Sequence, residues 1–251
     1  MSVALERRRK ELNVSNEVLF FSIVIPAYNE ENYIGKTLSA LKELDYPPSR
    51  LEVIIVENGS TDRTDSVVAA NAPVSAKVVR IAETGVSHAR NLGADLVSQA
   101  SDWVIFLDAD TYFAPTFLRE LDRFLRANAG RNLGTGMVSL RPVPDSRVAR
   151  GWYHFFNFVS YVTRTTKSIQ FIRRDLLGDI RYDESLTFGE DEQMLKECRR
   201  HVRHFYLKTR SVFSSTRRFL RNGWIRELFT SIHLIVLPYR KKQSIDYTAP
   251  R

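Results

Sequence analysis

The chain has 251 residues, 43% of them hydrophobic and 26% charged, so it can bury a sizeable core and wholesale disorder is excluded. Its single cysteine, Cys198, excludes an internal disulfide framework and a zinc ribbon and suits a reducing compartment. The net charge is +8, and no apolar run approaches the ~20 residues of a membrane-spanning helix.

Residues 1–16 are charged (Glu6, Arg7, Arg8, Arg9, Lys10, Glu11) and carry no apolar stretch, so no signal peptide is expected and a cytoplasmic location is. Phe20–Pro26 (FFSIVIP) is a short β-branched run that predicts a buried strand. Asn29 offers an N-cap to a helix whose apolar positions are Ile34, Leu38 and Leu41, stopping before Pro47-Pro48. Leu51–Val56 predicts a second strand, closed by a turn over 57–62. A short helix over Arg63–Ala70 and a third strand over Ala76–Ile81 follow. A helix is predicted across Val86–Ala100, then a central strand over Trp103–Leu107 (WVIFL), then a helix over Pro115–Asn128 with proline near its start. Strand and helix alternate, the pattern of a parallel α/β sheet.

After Gly130 the pattern changes. A strand within Gly134–Pro142 precedes an aromatic stretch, Trp152–Tyr161, and another strand is predicted over Ile169–Arg173. Leu176–Phe188 reads as a loop, and a helix follows over Glu192–Val202. No Pro/Gly/Ser linker divides the chain. It is therefore read as one domain over 1–251: a first half over 18–130, an elaboration over 131–223 that closes a cleft above it, and a C-terminal segment over 224–251.

Charge is uneven. From Cys198 to Arg226 there is no Asp or Glu but nine Lys or Arg, and Arg240, Lys241 and Lys242 follow. Nucleic acid, an anionic membrane surface and a polyphosphate substrate would each suit such a segment, as would a solvated face. Glu227–Tyr239 is apolar with basic flanks, which predicts peripheral attachment to an anionic bilayer; a core or dimer-interface helix is the alternative.

Ligands of open parallel sheets bind beyond the carboxyl ends of the strands. Asp108 and Asp110 lie there after WVIFL, and side-chain alternation would point both to one side. Two such carboxylates suit a hard divalent ion completed by substrate phosphates. They equally suit capping, Asp108 of the turn and Asp110 of the helix near Ala114. Pro26-Ala27-Tyr28-Asn29 and Glu57-Asn58-Gly59-Ser60-Thr61-Asp62 end the first two strands beside them.

Five segments, FSIVIPAYNEENYIGKTLSAL, VIIVENGSTDRT, GVSHARNLGAD, WVIFLDADT and FGEDEQM, together resemble family 2 of the nucleotide-sugar glycosyltransferases, with the GT-A fold. Their order and spacing match from about Phe21 to Met194. The resemblance implies a Rossmann-like, mostly parallel sheet with helices on both faces and an acceptor-side elaboration. It implies that Pro26, Ala27, Tyr28 and Glu30 border the nucleotide, with Glu57 and Asn58 at base and ribose. Members often carry Asp-Asp where this chain has Glu57-Asn58, so UDP-sugar and GDP-sugar donors both stay open. Arg90 would approach the base or diphosphate. Asp108 and Ala109 would border the ribose or a metal-bound water, and Asp110 would ligate Mn2+ or Mg2+. Asp191 matches the catalytic base, with a helix N-cap as the alternative for it, and Glu190 beside it would contact the nucleotide sugar. The processive members' Gln-x-x-Arg-Trp motif is absent, and Arg217 and Arg218 stand in the comparable region, which implies addition of one sugar and diphosphate contacts from these arginines. A lipid-linked or glycan acceptor is expected, and nucleic acid is not.

Three rival readings fit less well. A sugar-phosphate nucleotidyltransferase would place a glycine-rich loop after the first strand, where PAYNEEN has no glycine. A nucleic-acid binder leaves the carboxylates without a purpose. A non-catalytic relative would not need both Asp110 and Asp191.

Overall fold

The computed structural model describes residues 18–165, 168–186, 189–224 and 226–227. Strand β1 (Phe21–Ala27) is buried along almost its whole length because consecutive apolar residues serve opposite faces of a sheet. Helix α1 (Ile34–Lys42) turns Ile34, Leu38 and Leu41 inward, and β2 (Leu51–Asn58) returns parallel to β1. Then come α2 (Thr64–Asn71), the edge strand β3 (Lys77–Ile81), α3 (Val86–Asp95) and β4 (Trp103–Leu107). The expected third helix, across Val86–Ala100, is shorter than its apolar pattern suggested, ending at Asp95.

The rest of the chain consists of β5 (Thr111–Phe113), α4 (Phe117–Ala127), β6 (Leu133–Val138), β7 (Arg141–Val143), α5 (Arg147–Thr163), β8 (Ile169–Arg173), α6 (Glu190–Cys198), β9 (Arg203–Leu207), β10 (Val212–Ser215) and α7 (Arg217–Asn222). The main sheet has the order β3-β2-β1-β4-β8-β6-β9, and β8 runs antiparallel to both of its neighbours. Strands of both halves of the chain therefore share one sheet. A small sheet, β5-β10-β7, stands beside it.

Two apolar layers sandwich the main sheet. Phe21, Ile23, Ile25, Ile105 and Leu107 meet α1 and α4 on one side. Val24, Ile54, Val104 and Phe106 meet α3 and α6 on the other. Gly93 sets the seating of α3: a Cβ there would stand 2.3 Å from Val24 Cγ1, so the helix packs on β1 at a distance only glycine permits.

Asn29 does not cap α1, which starts only at Ile34. It sits in the left-handed region (φ 53), where its side chain serves the neighbouring loop instead. Strands β5, β9 and β10 were not anticipated; they are short, and β9 and β10 lie in the basic segment whose alternation is weak. Among the described residues no helix is long and apolar enough to cross a membrane. Residues 1–16 and most of the basic-flanked segment over 227–242 lie outside the described residues.

Candidate active site

β1 and β2 pair in register, with Pro26 opposite Val56 and Ala27 opposite Glu57, so Pro26, Ala27, Tyr28, Glu57 and Asn58 reach one edge of the sheet together. Their loops are tied to each other. Asn29 Oδ1 accepts from the Thr61 N–H at 2.8 Å, and the Glu30 N–H donates to Thr64 Oγ1 at 2.7 Å. Glu57 uses one oxygen to accept from the Ser60 N–H at 2.7 Å. The Asn58 amide, oriented to suit its neighbours, donates to the Ala27 carbonyl at 2.5 Å and accepts from the Gly85 N–H at 3.2 Å. Its oxygen thus joins β2 to the start of α3. Gly59 (φ 78) makes the turn possible, since a Cβ there would stand 2.6 Å from the Ala82 carbonyl oxygen.

Arg90 is the centre of the site. It lies on the inner face of α3, 5% exposed. Its Nη1 donates to Asp191 Oδ1 at 2.7 Å and Glu190 Oε1 at 3.0 Å, and its Nη2 to Asp108 Oδ1 at 3.2 Å. The guanidinium also lies 5.3 Å from the centroid of the Tyr182 ring. Burial works against its charge, but Asp191, Tyr182, Asp108 and Glu190 together hold its pKa above the ordinary arginine value. One cation thus joins a strand end and a helix start 83 residues apart.

Asp191 stands in the first turn of α6 and does not cap it; Gly189, in the left-handed region, takes that position. Burial pushes its carboxyl up to about 7, Arg90 pulls the other way, and Glu190 and Asp108 add to the rise. The side chain is still 26% exposed, so a substrate can reach it. Gln170 of β8 accepts from the Tyr182 hydroxyl at 2.7 Å and works against the rise of the Asp191 carboxyl. Asn91 fixes Tyr182 in turn, donating to its carbonyl at 2.9 Å and accepting from its N–H at 3.0 Å. The sequence reading missed Gln170, Tyr182 and Asn91. A glutamine in the middle of the apolar strand IQFIR was the available signal.

Asp108 and Asp110 do not share a direction. β4 ends at Leu107, and the Thr111 N–H donates to the Asp108 carbonyl at 3.0 Å, so both lie in a turn where strand alternation no longer applies. Asp108 faces Arg90, while Asp110 Oδ2 lies 3.0 Å from Arg217 Nε. Arg217 also grips both oxygens of Glu30 and covers the Tyr33 ring at 4.4 Å. Burial pushes Asp110 up to about 7; Arg217 opposes this, and Asp108 and Glu30 reinforce it. Burial likewise raises Glu30. Ala109 is buried, and its carbonyl accepts from Thr37 Oγ1 at 2.7 Å. Asp110, Arg217 and Tyr33 line a cavity of about 190 Å³. Arg218 points elsewhere, 2.8 Å from Glu227, and does not join these residues.

Five carboxylates here share two guanidiniums, an excess of three negative charges when all are ionised. Among the described residues no three metal-ligating side chains converge. A Mg2+ or Mn2+ ion that keeps waters and substrate phosphates needs only one or two protein carboxylates. The hard oxygen donors of Asp110 and the 38% exposed Asp108, in an under-neutralised rim, fit such an ion.

Residues 22–178 match the family model described as Glycosyl transferase family 2. The minor teichoic acid biosynthesis protein GgaA of Bacillus subtilis (strain 168) is 29% identical over 201 residues, covering 71% of this chain and 44% of that protein. The poly(ribitol-phosphate) beta-N-acetylglucosaminyltransferase TarS of Staphylococcus aureus (strain MW2) is 27% identical over 177 residues, covering 68% of this chain and 31% of TarS. The chain thus spans less than half the length of these relatives. Among solved structures, S. aureus TarS in complex with UDP-GlcNAc superposes with a TM-score of 0.65 at 22% identity, covering 79% of this chain and 59% of that one. The mannosyltransferase PcManGT from Pyrobaculum calidifontis, in complex with GDP-Man and Mn2+, gives 0.61 at 18% identity, covering 92% and 71%. These likenesses show the fold, the mixed α/β GT-A architecture expected from the sequence.

Proposed function

The chain belongs to glycosyl transferase family 2, and from that premise we propose that it moves one sugar from a UDP- or GDP-sugar to an acceptor hydroxyl with inversion at the anomeric carbon. The acceptor belongs to a cell-envelope polymer or glycolipid, a reading supported by the teichoic-acid relatives. The observation that carries the proposal is the Arg90 cluster. A donor-side carboxylate, Asp108, and a raised, reachable carboxylate, Asp191, are held by one guanidinium.

In this mechanism Pro26, Ala27, Tyr28 and Glu57 border the nucleoside, and Asn58 keeps their loops in register. Asp110, with Asp108 beside it, would hold a Mn2+ or Mg2+ ion, which when bound supplies Lewis-acid stabilisation of the leaving diphosphate. Arg217 exchanges its contacts with Glu30 and Asp110 for the diphosphate oxygens, which a guanidinium binds in bidentate fashion. As the acceptor oxygen bonds to the anomeric carbon, its proton passes to a carboxylate oxygen of Asp191. The bond from that carbon to the phosphate oxygen breaks, and its electron pair leaves with the nucleoside diphosphate. A pKa near 7 lets Asp191 take that proton while remaining ionised part of the time at neutral pH. Arg90 holds it in place.

A panel of UDP- and GDP-sugars with Mn2+, scored for nucleoside diphosphate release, tests the reading. Turnover of at least one donor that Asp191→Asn abolishes is expected. No turnover with any donor, or full turnover by the variant, contradicts it.

Attachment to an anionic membrane surface is a further part of the proposal. Support comes from α5, where Val148, Phe155 and Val162 are exposed, although Tyr153 of the same aromatic stretch is core and Trp152 packs on Phe156, Phe219 and Trp224. Flotation with anionic liposomes at low salt is the test, and protein left at the bottom counts against it.

A further inference from the structure

A second, larger cleft, of about 990 Å³, lies next to the proposed site and has no part in donor binding or proton transfer. Strand β7 borders both cavities. Val143 and Pro144 line the one with Asp110 and Arg217, and Arg141 and Pro142 line the other. The two are mechanically joined. The Tyr153 hydroxyl donates to the Ser214 and Ser215 carbonyls at 3.2 and 3.1 Å, and the Ser215 N–H donates to the Asp110 carbonyl at 3.2 Å.

The walls of this cleft are fixed by buried polar pairs. Ser139 Oγ donates to the Thr209 carbonyl at 2.6 Å and accepts from the Thr209 N–H at 2.8 Å. Asn157 of α5 bonds both the N–H and the carbonyl of Leu140, each at 2.9 Å, which seats the helix against the β6–β7 connection. The rim is cationic. Arg141, Lys208 and Arg210 are exposed and have no carboxylate within ion-pair distance among the described residues. Arg150 is paired to Asp145 at 3.3 Å, and the lining's own acid, Glu120, already accepts from Thr209 and Ser211. Tyr161 packs edge-on against Tyr206, with a centroid distance of 5.1 Å, and gives the cleft an aromatic wall beside these charges.

Three cations with no carboxylate partner among the described residues, of which Arg141 also lies 5.6 Å from the Phe213 ring centroid, stand around an aromatic-walled hollow and match a ligand that alternates negative charge with sugar or polyol carbon. We infer that this cleft binds a phosphodiester-linked polyol or sugar chain and holds the acceptor polymer while its hydroxyl reaches the site across β7. This rests on the transferase reading above, because it gives the bound chain its purpose. Nucleic acid, the other phosphodiester polymer, is separated from this ligand by the single-stranded DNA arm of the test.

The test titrates an oligo(glycerol phosphate) chain against the full chain and against the double variant Lys208→Glu/Arg210→Glu, with melting temperature as a folding check. The milder Arg141→Gln/Lys208→Gln variant serves if the first does not fold. Binding that weakens with added salt, and by roughly tenfold or more in the variant, is expected. UDP or GDP binding in the presence of Mn2+ should not change in the variant. Equal binding by variant and wild type, equal binding of an uncharged glycan, or tighter binding of single-stranded DNA would overturn the inference. Chain binding that is lost in the variant by a protein that turns over no nucleotide sugar would leave this cleft standing and remove the transferase reading instead.

Discussion

Arg90 and Arg217 both bind carboxylates at the same rim, but from different depths. The Arg90 side chain is 6% exposed, and its two Nη groups serve Asp108, Glu190 and Asp191, drawn from separate parts of the chain. The Arg217 side chain is 26% exposed and sits in a six-residue helix, bridging Glu30 and Asp110. The same chemical group is therefore used in two ways. Arg90 is a strut that sets where Asp191, the proposed base, stands, because releasing it would strand three carboxylates around a buried space. Arg217 neutralises Glu30 and Asp110, and in the proposed mechanism it trades them for a diphosphate.

This contrast can be broken at several points. Asp191→Asn removes the proposed base but leaves the proposed donor side intact. It should cut transfer by about 10²–10⁴-fold, with nucleotide affinity unchanged in a titration. Arg90→Ala should act first on the fold, costing about 3–5 kcal/mol in urea unfolding, because it leaves buried charges without their partner. Arg90→Lys should recover part of that loss, and a strut role fails if Arg90→Ala unfolds like the wild type. The pH profile sharpens the comparison without mutation. Burial raises Asp191 to about 7, so the base is increasingly protonated below that value. kcat/KM should then fall about tenfold per pH unit on the acid side and level off above it; a base at the ordinary carboxylate value would keep the profile flat down to about pH 5. Arg217→Ala should weaken donor binding roughly tenfold, the size of one lost charged hydrogen bond, while Arg218→Ala should leave it unchanged because that side chain pairs with Glu227.

Much of the fold was legible because consecutive apolar residues in FSIVIP, LEVIIV and WVIFL have few alternatives to a doubly covered strand. The antiparallel position of β8 was not, since pairing direction leaves no mark on a five-residue apolar run. The site was legible where motif residues cluster at strand ends. Arg90 and Asp191 could be named from their segments, but their mutual contact could not, because 101 positions separate them. The split between Arg217 and Arg218 was equally hidden, for adjacent residues at the start of a short helix point in different directions. Asp108 and Asp110 were read by strand periodicity, and the turn that begins at Asp108 voids that rule.

The central claim is that this acidic rim receives a nucleotide sugar through a cation held at Asp110, and calorimetric titration of UDP and GDP with and without Mn2+ tests it most directly. The account predicts that one nucleotide binds wild-type protein with Mn2+ present, weakens strongly when the ion is chelated, and no longer responds to the ion in Asp110→Asn. Failure of both nucleotides to bind with Mn2+, or ion-dependent binding that survives Asp110→Asn intact, would contradict it.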